Sequence, residues 1–189
     1  MNAATDYLTP HRLTVSEYAR MAEVGILDEQ TRTELINGVI IDMAPINSPH
    51  SGTVNQINRL LVTASINKAV VSVQNSIILG EYNAPQPDFA LLKWRKDDYK
   101  GRHARTDEIL LCIEVADSSL AYDRNVKRQL YAQFNIPEYW IIDLQHSTLY
   151  RHHQVENANY SKVDLIKTLS TLSPLALPTL EVDFSTLFD

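Results

Sequence analysis

The sequence is poor in several residues and motifs on which common protein classes depend. Among its 189 residues there is a single cysteine, Cys112, so no internal disulfide can form and a reducing compartment is favoured. Five glycines are too few to build a GxGxxG or P-loop phosphate cradle easily, and neither motif is present. The zinc spacings CxxC and HExxH and the nucleophile elbow GxSxG are absent as well. These absences argue against nucleotide-cradling enzymes, zinc enzymes and serine hydrolases.

Long hydrophobic runs are also missing. No apolar stretch approaches the roughly 20 residues that a membrane-spanning helix needs. The first ten residues are polar and contain no apolar core of the kind that a signal peptide has. We therefore expect a cytoplasmic protein without a membrane partner. The length suits one domain, and the sequence contains no repeat or low-complexity linker, so we expect a single domain over residues 1–189.

Positive charge is scarce in the chain as a whole but concentrated in one segment. The formal net charge of −6 argues against strong non-specific affinity for nucleic acid. Residues 93–105, however, hold six lysines and arginines against two aspartates. Such a segment is typical of a phosphate-contacting loop, and Lys96, Lys100 and Arg102 are its candidate nucleic-acid contacts. A solvated surface loop is the more ordinary explanation.

Hydrophobic periodicity alternates between helix and strand along the chain. A capping box that begins at Thr14 predicts a helix to about Val24, and Ser48 followed by Pro49 begins a second helix to about Asn67. The dipeptide Asn37-Gly38, between two apolar runs, predicts a hairpin. Further strands are predicted at 71–79, 87–92, 109–116, 139–144, 147–152, 160–166 and 176–182, with a helix at 123–135 and a final helical turn at 184–188.

The order of these elements predicts the fold class. Strand, helix and strand follow one another over residues 109–144, which is a βαβ-like unit. Val126, Leu130 and Phe134 are expected to form the core-facing stripe of its helix. The mixture of helices and strands predicts an α/β fold with a mixed sheet.

Glu114 interrupts an otherwise apolar strand, ILLCIEVA. A buried carboxylate is normally paired, protonated or bound to a metal, because leaving it unpaired is costly. Alternation places Glu114 on the same face as Cys112 and Ala116, near the carboxyl end of the strand, where open α/β sheets tend to place their sites. A metal ligand and an ion pair with a nearby Arg or Lys explain this residue equally well.

Asp88 is a second acidic candidate. It follows Pro87 and precedes the apolar residues FALL, so it stands at the start of an extended segment. An Asp in such a position is commonplace, and a structural role is its ordinary explanation. If the two strands pair, Asp88 and Glu114 meet, and a divalent cation would relieve the repulsion between their carboxylates.

Three further polar residues are weaker candidates. Glu34 lies in the first hairpin strand, where a solvent-facing side chain is at least as ordinary as a metal ligand. Lys127 follows Asp123 by about one helical turn, and a surface ion pair between them is the simple explanation. His50 stands at the start of the second helix and is able to bind a phosphate or a metal, although histidines there commonly have no special role.

Three segments resemble the Uma-type restriction endonuclease family, formerly a domain of unknown function within the PD-(D/E)XK nuclease superfamily. They are TELINGVIIDM, QPDFALL and IEVADSSLAYDRNVKRQLYAQFNIPEYWIID. The similarity extends from about Leu13 to Phe188, and the elements E-V-x-x-S, D, K, Y and PEYW of the last segment occur in the order and spacing of the family. The resemblance implies a restriction-endonuclease-like fold, with a mixed central β-sheet flanked by helices. It also implies hydrolysis of DNA phosphodiester bonds with Mg²⁺ or Mn²⁺.

Carried onto this sequence, the resemblance implies a specific site. Asp88 and Glu114 would hold the metal together with the main-chain carbonyl of Val115, and Glu34 would add an acidic position. Ala116 stands where the superfamily has a lysine, so the resemblance assigns the activation of water to Lys127. We expect the carboxylate oxygens of Asp88 and Glu114 to lie within roughly 5–6 Å of each other, with the Lys127 ammonium directed at them.

The same residues allow two alternatives to a nuclease, and they also lead to a prediction about the oligomeric state. A catalytically vestigial nucleic-acid-binding or protein-binding module is favoured by the acidic body of the chain and by the displaced lysine. In a structural oligomerisation domain, the two carboxylates would instead join an ion-pair network. Because phosphate neutralisation supplies most duplex affinity, we predict a homodimer whose 93–105 loops lie on the same side as the carboxylates.

Overall fold

The first helices and the hairpin begin where local sequence signals predict them. The protein is described by a computed structural model that covers residues 9–28 and 32–189. Helix α1 (Val15–Glu23) has Thr14 as its N-cap, with the predicted capping box, and α2 (Ser48–Ser65) carries its proline in the first turn. Strands β1 (Thr33–Ile36) and β2 (Val39–Asp42) form the predicted antiparallel hairpin. No helix in these ranges is long and apolar enough to cross a bilayer.

A six-stranded mixed sheet forms the centre of the fold, in the order β3-β4-β5-β6-β7-β8. Its strands are β3 (Ala69–Val73), β4 (Phe89–Lys93), β5 (Ile109–Ala116), β6 (Glu138–Asp143), β7 (Thr148–Glu156) and β8 (Asn159–Ile166). Strands β5 and β6 are parallel and all other neighbours are antiparallel. The predicted α/β class with a mixed sheet is confirmed. Two short strands, β9 (Thr171–Leu172) and β10 (Val182–Asp183), pair separately.

The connection between β5 and β6 contains a helix of mixed geometry. Its consecutive segments are Leu120–Tyr122 (α), Asp123–Lys127 (π) and Arg128–Gln133 (α), which we call together the third helix. A π turn widens a helix and changes which residues share a face, and such turns occur frequently at functional sites. Here the segment buries two charged residues, Asp123 and Lys127, while Val126 is 37% exposed. The expectation that Val126 belongs to the core-facing stripe is therefore wrong.

Hydrophobic clusters cover the two faces of the central sheet. One cluster packs Ile57 and Leu61 of α2 against Trp140 of β6. The other packs Leu130 and Tyr131 of the third helix on the face that contains Cys112 and Ala116 of β5. Because Glu114 lies on the same face as Cys112 and Ala116, its carboxylate is directed toward the third helix rather than toward α2.

Two predicted regions differ in the structure. The strand predicted over 71–79 ends at Val73, because Gln74 adopts a positive φ of 50° and the chain leaves the sheet. Ile77 and Leu79 are buried in the connection that follows, so their alternation reflects core packing rather than a strand. Near the C-terminus, the predicted strand at 176–182 is reduced to Val182–Asp183, and residues 184–188 form a turn instead of a helix.

Candidate functional site

Asp88 and Glu114 lie side by side on neighbouring strands. Asp88 directly precedes β4, and the antiparallel register that pairs Phe89 with Ile113 places it opposite Glu114 of β5. The Asp88 N–H donates to Oε2 of Glu114 at 3.3 Å, and the Val115 N–H donates to Oδ2 of Asp88 at 2.9 Å. Both acidic side chains line one cavity of about 310 Å³. The predicted approach of these residues is confirmed.

Lys127 reaches this pair from the third helix. Its Nζ lies 2.9 Å from Oε1 of Glu114 and 3.1 Å from Oε2 of Glu34, and its side chain is 4% exposed. Tyr131, one turn further along the helix, donates its hydroxyl to the same Oε1 of Glu114 at 3.0 Å. The predicted direction of the ammonium is confirmed. A surface ion pair does not explain Lys127, because both it and Asp123 are buried.

Glu34 is buried where the first hairpin forms one wall of the cavity that contains Asp88 and Glu114. The hairpin is fixed beside the sheet by a bridge between Leu35 and Ala84. The main-chain N–H of Gln86 donates to Oε2 of Glu34 at 3.1 Å, and the Tyr122 hydroxyl donates to Oε1 at 2.9 Å. The solvent-facing explanation of Glu34 is therefore wrong.

His50 contacts the site more closely than its sequence position suggests. Its Nε2 lies 3.1 Å from Oδ2 of Asp88, while Gln74 donates to Oδ1 of Asp88 at 2.9 Å. The Nδ1 of His50 is buried and has no hydrogen-bond partner among the described residues. The sequence indicates that His50 is able to bind a phosphate or a metal. Gln74 and Tyr122 join the site through contacts between distant segments, so the local sequence carries little signal for them.

Burial and neighbouring charges shift the pKa values of the acidic groups in different directions. Burial raises the pKa of Glu114 to about 8, although Lys127 acts against this shift, and burial raises the pKa of Asp123 to about 6. Burial would raise the pKa of Asp88 too, but the hydrogen bond and charge of His50, together with hydrogen bonds from Gln74 and the Val115 N–H, outweigh it and the pKa is lowered. The carboxyl groups outnumber the cations near them, and a bound divalent cation would relieve that imbalance.

The donor set fits a hard divalent cation. Carboxylate and carbonyl oxygens are the ligands that Mg²⁺ and Mn²⁺ prefer, and Mg²⁺ usually keeps several waters. Oδ1 of Asp88 and Oε2 of Glu114 each accept one hydrogen bond and so retain a lone pair. Within residues 9–28 and 32–189 no three His, Cys, Asp or Glu side chains are already arranged as a metal cage. A cation here would therefore use two carboxylates, the Val115 carbonyl and water.

The basic segment lies away from these residues. Strand β4 begins next to Asp88 and ends at Lys93, whereas β5 begins at Ile109 and reaches Glu114 near its other end. The loop between β4 and β5 therefore emerges at the opposite end of both strands. The expectation that it lies on the carboxylate side is wrong for a single subunit.

Two of the three arginines of the basic segment, Arg95 and Arg102, form ion pairs with nearby carboxylates. Arg102 lies 2.6 Å from Glu108, and Arg95 contacts both Glu108 and Asp97. Lys96 and Lys100 are exposed. The role of Lys96, Lys100 and Arg102 in binding nucleic acid stays a prediction.

Comparisons with known proteins agree with this fold. A model of the Uma2 family, described as "Putative restriction endonuclease", matches residues 15–185. The crystal structure of "a putative nuclease belonging to DUF820" from Anabaena variabilis ATCC 29413 superimposes with a TM-score of 0.70. The match covers 93% of this chain and 97% of that one at 14% identity, so it shows a shared fold. None of the curated proteins matches the sequence.

Proposed function

Because the chain belongs to the Uma2 restriction endonuclease family, we propose that it is an endonuclease that hydrolyses DNA phosphodiester bonds with Mg²⁺ or Mn²⁺. One observation carries the proposal, namely the meeting of Asp88, Glu114 and Lys127 at a single cavity. Two carboxylates able to hold a divalent cation and one buried ammonium suit metal-assisted phosphodiester hydrolysis.

In this proposal Asp88, Glu114 and the Val115 carbonyl hold the metal ion. When bound, the ion neutralises charge on the phosphate and lowers the pKa of a coordinated water. His50 and Gln74 fix the Asp88 carboxylate through hydrogen bonds to its two oxygens. Tyr131 fixes Oε1 of Glu114 in the same way.

Lys127 would orient the attacking water and stabilise the charge that develops on the phosphate. The carboxylates of Glu34 and Glu114 hold its ammonium in the cavity. Both oxygens of Glu34 accept hydrogen bonds or ion pairs from the protein. We therefore propose that Glu34 positions Lys127, in place of the metal-ligand role that the resemblance implied.

A titration with Mn²⁺ and a plasmid-cleavage assay test the proposal together. We expect the wild-type protein to bind Mn²⁺ and to nick or linearise plasmid DNA. Asp88→Asn and Glu114→Gln should abolish cleavage and weaken Mn²⁺ binding by more than the roughly 10–100-fold that loss of an outer-shell partner costs, because each removes a direct ligand. Glu156→Gln removes an exposed carboxylate from the end of β7 and is the matched control, which should change neither result.

The same experiment separates the alternatives. A wild-type protein that fails to bind Mn²⁺ would refute the metal-dependent mechanism. Metal binding without cleavage of any DNA would instead favour the vestigial binding module, which the net charge of −6 already favours.

A homodimer is part of the proposal, because one active site per strand would let a two-fold assembly cut a duplex. Light scattering at micromolar concentration tests this directly. If the protein is a strict monomer under conditions in which it cleaves duplex DNA, the dimer is refuted, whereas the proposed active site is not.

A further inference from the structure

A second cavity, of about 580 Å³, lies between the third helix and strands β7 and β8. We call it the arginine groove and define it by Arg124 and Arg128 on the helix, His152 on β7 and Tyr160 on β8. No acidic residue lines it within the described part of the chain. The groove is therefore a concave surface of one charge sign.

The two arginines of the groove have no carboxylate partner in the part of the chain that the structure describes. The Arg124 guanidinium carbon lies 5.0 Å from the centre of the Tyr150 ring, and Nε of Arg128 donates to the Arg124 carbonyl. Neither guanidinium forms an ion pair with any carboxylate in residues 9–28 and 32–189. Arg102 and Arg151, by contrast, are paired with Glu108 and Glu138. The charge of the arginine groove is thus available to an anion from outside the chain.

His152 provides an independent sign of an anion site. It is 7% exposed, and its Nε2 is buried without a hydrogen-bond partner among the described residues. Buried polar atoms are rarely left in this state. Burial, together with the charges of Arg128 and Arg124, lowers the pKa of His152 to about 4, so its ring is neutral at neutral pH. The positive charge of the groove therefore comes from Arg124, Arg128 and Lys162, and no acidic residue in the described part of the chain lines it.

The third helix separates the arginine groove from the candidate site. Tyr122 and Lys127 line the site, whereas Arg124 and Arg128 line the groove on the other side of the helix. Asp88 directly precedes β4, whereas His152 lies on β7, three strands away in the sheet. At about 4.8 Å per strand, the two residues are separated by roughly 14 Å or more. At about 3.4 Å per nucleotide, a DNA strand covers such a distance in about four or more nucleotides.

We propose that the arginine groove binds the phosphodiester backbone of the DNA substrate about four or more nucleotides from the bond that is cleaved. The identity of the anion rests on the proposed function. Guanidinium groups suit this task because their planar N–H donors match the oxygens of a phosphate. In this proposal Arg124 and Arg128 take the role that the sequence assigned to the 93–105 loop.

Binding of a fluorescein-labelled DNA duplex, measured by anisotropy in EDTA over a series of salt concentrations, tests the inference. Arg124→Gln/Arg128→Gln should weaken binding by roughly tenfold or more and reduce the slope of log K against log salt by about 1.8, because two phosphate contacts are lost. Lys96→Gln/Lys100→Gln removes the same charge from the other end of the sheet and should leave the slope unchanged. Arg124→Lys/Arg128→Lys should restore the slope.

The outcomes distinguish this inference from the proposed function. An unchanged slope in Arg124→Gln/Arg128→Gln overturns the inference, as does a wild-type protein that does not bind the duplex. The assay contains EDTA, so it measures binding without metal-dependent cleavage. If the arginine pair binds DNA but the protein never cleaves it, the proposed function is refuted and the inference about the groove stands. Matching thermal unfolding curves for the variants and the wild-type protein would show that the fold is retained.

Discussion

At the scale of single residues, the candidate site depends most on the charge of Lys127. Its ammonium is buried between the carboxylates of Glu34 and Glu114, and their charges raise its pKa despite the opposing effect of burial. A buried ion pair contributes little net stability, but removing one partner leaves the other charge uncompensated. Lys127 is therefore needed for the stability of the cavity as well as for its proposed chemistry.

Replacing Lys127 with Met should lower the free energy of unfolding by roughly 3–5 kcal/mol, because Glu34 and Glu114 lose their cation. The loss should be greater at pH 8 than at pH 5, since Glu114 protonates more readily without Lys127. Urea denaturation at the two pH values measures this effect. Lys127→Met/Glu114→Gln should recover part of the loss, and Lys96→Met, at an exposed position, should change stability by less than about 0.5 kcal/mol. Equal stabilities of Lys127→Met and the wild-type protein would contradict the assignment.

At the scale of elements, the first hairpin positions Glu34 through its turn and its contacts with the segment before β4. Gly38 adopts a φ of 78°, and its N–H donates to the Tyr82 carbonyl at 2.8 Å. Leu13 donates its N–H to the Gly38 carbonyl at 3.0 Å, so the chain before α1 crosses directly over the turn. A Cβ at position 38 would lie 2.7 Å from Cβ of Arg12 and 3.0 Å from its Cα. Both backbone conformation and space therefore require glycine.

Gly38→Ala should destabilise the protein by about 1–3 kcal/mol, because it combines a strained φ with a clash against the Arg12 backbone. The midpoint of urea denaturation measures the effect. Gly101→Ala is the matched control, since no atom lies within 4 Å of the Cβ it would carry, and it should be nearly neutral. Similar midpoints for the two variants would show that the turn tolerates a side chain.

The elements predicted correctly from the sequence are those whose signals are local. The capping box at Thr14, the Asn37-Gly38 turn and the apolar run around Glu114 each depend on a few neighbouring residues. The prediction of a strand over 71–79 was wrong beyond Val73, because Ile77 and Leu79 are apolar in order to pack in the core and not because they belong to a strand. His50 shows the same limit within the site, because its contact with Asp88 joins residues 38 positions apart.

At the scale of the whole molecule, charge is arranged differently from what the linear sequence suggests. The 93–105 segment is the most basic stretch of the chain, yet two of its arginines, Arg95 and Arg102, pair with Asp97 and Glu108, and the segment lies at the far end of the sheet. Arg124 and Arg128 do not stand out in the sequence, because they are four residues apart on a helix that also contains Asp123 and Lys127. Their availability follows from the packing of the third helix on β7 and β8.

The acid stability of the whole protein should depend on His152, because the folded state holds its ring neutral. Its pKa is lowered from 6.5 to about 4, mainly by burial and further by Arg128 and Arg124. As pH falls below about 6.5 the unfolded chain binds a proton that the folded protein excludes, so stability present at neutral pH is lost toward pH 4. His152→Phe keeps a ring against Tyr139 and removes the titration. Relative to the wild-type protein, its free energy of unfolding should therefore rise by about 2–3 kcal/mol between about pH 7 and pH 4. Urea denaturation of both proteins across this range measures the difference, and parallel pH profiles would contradict it.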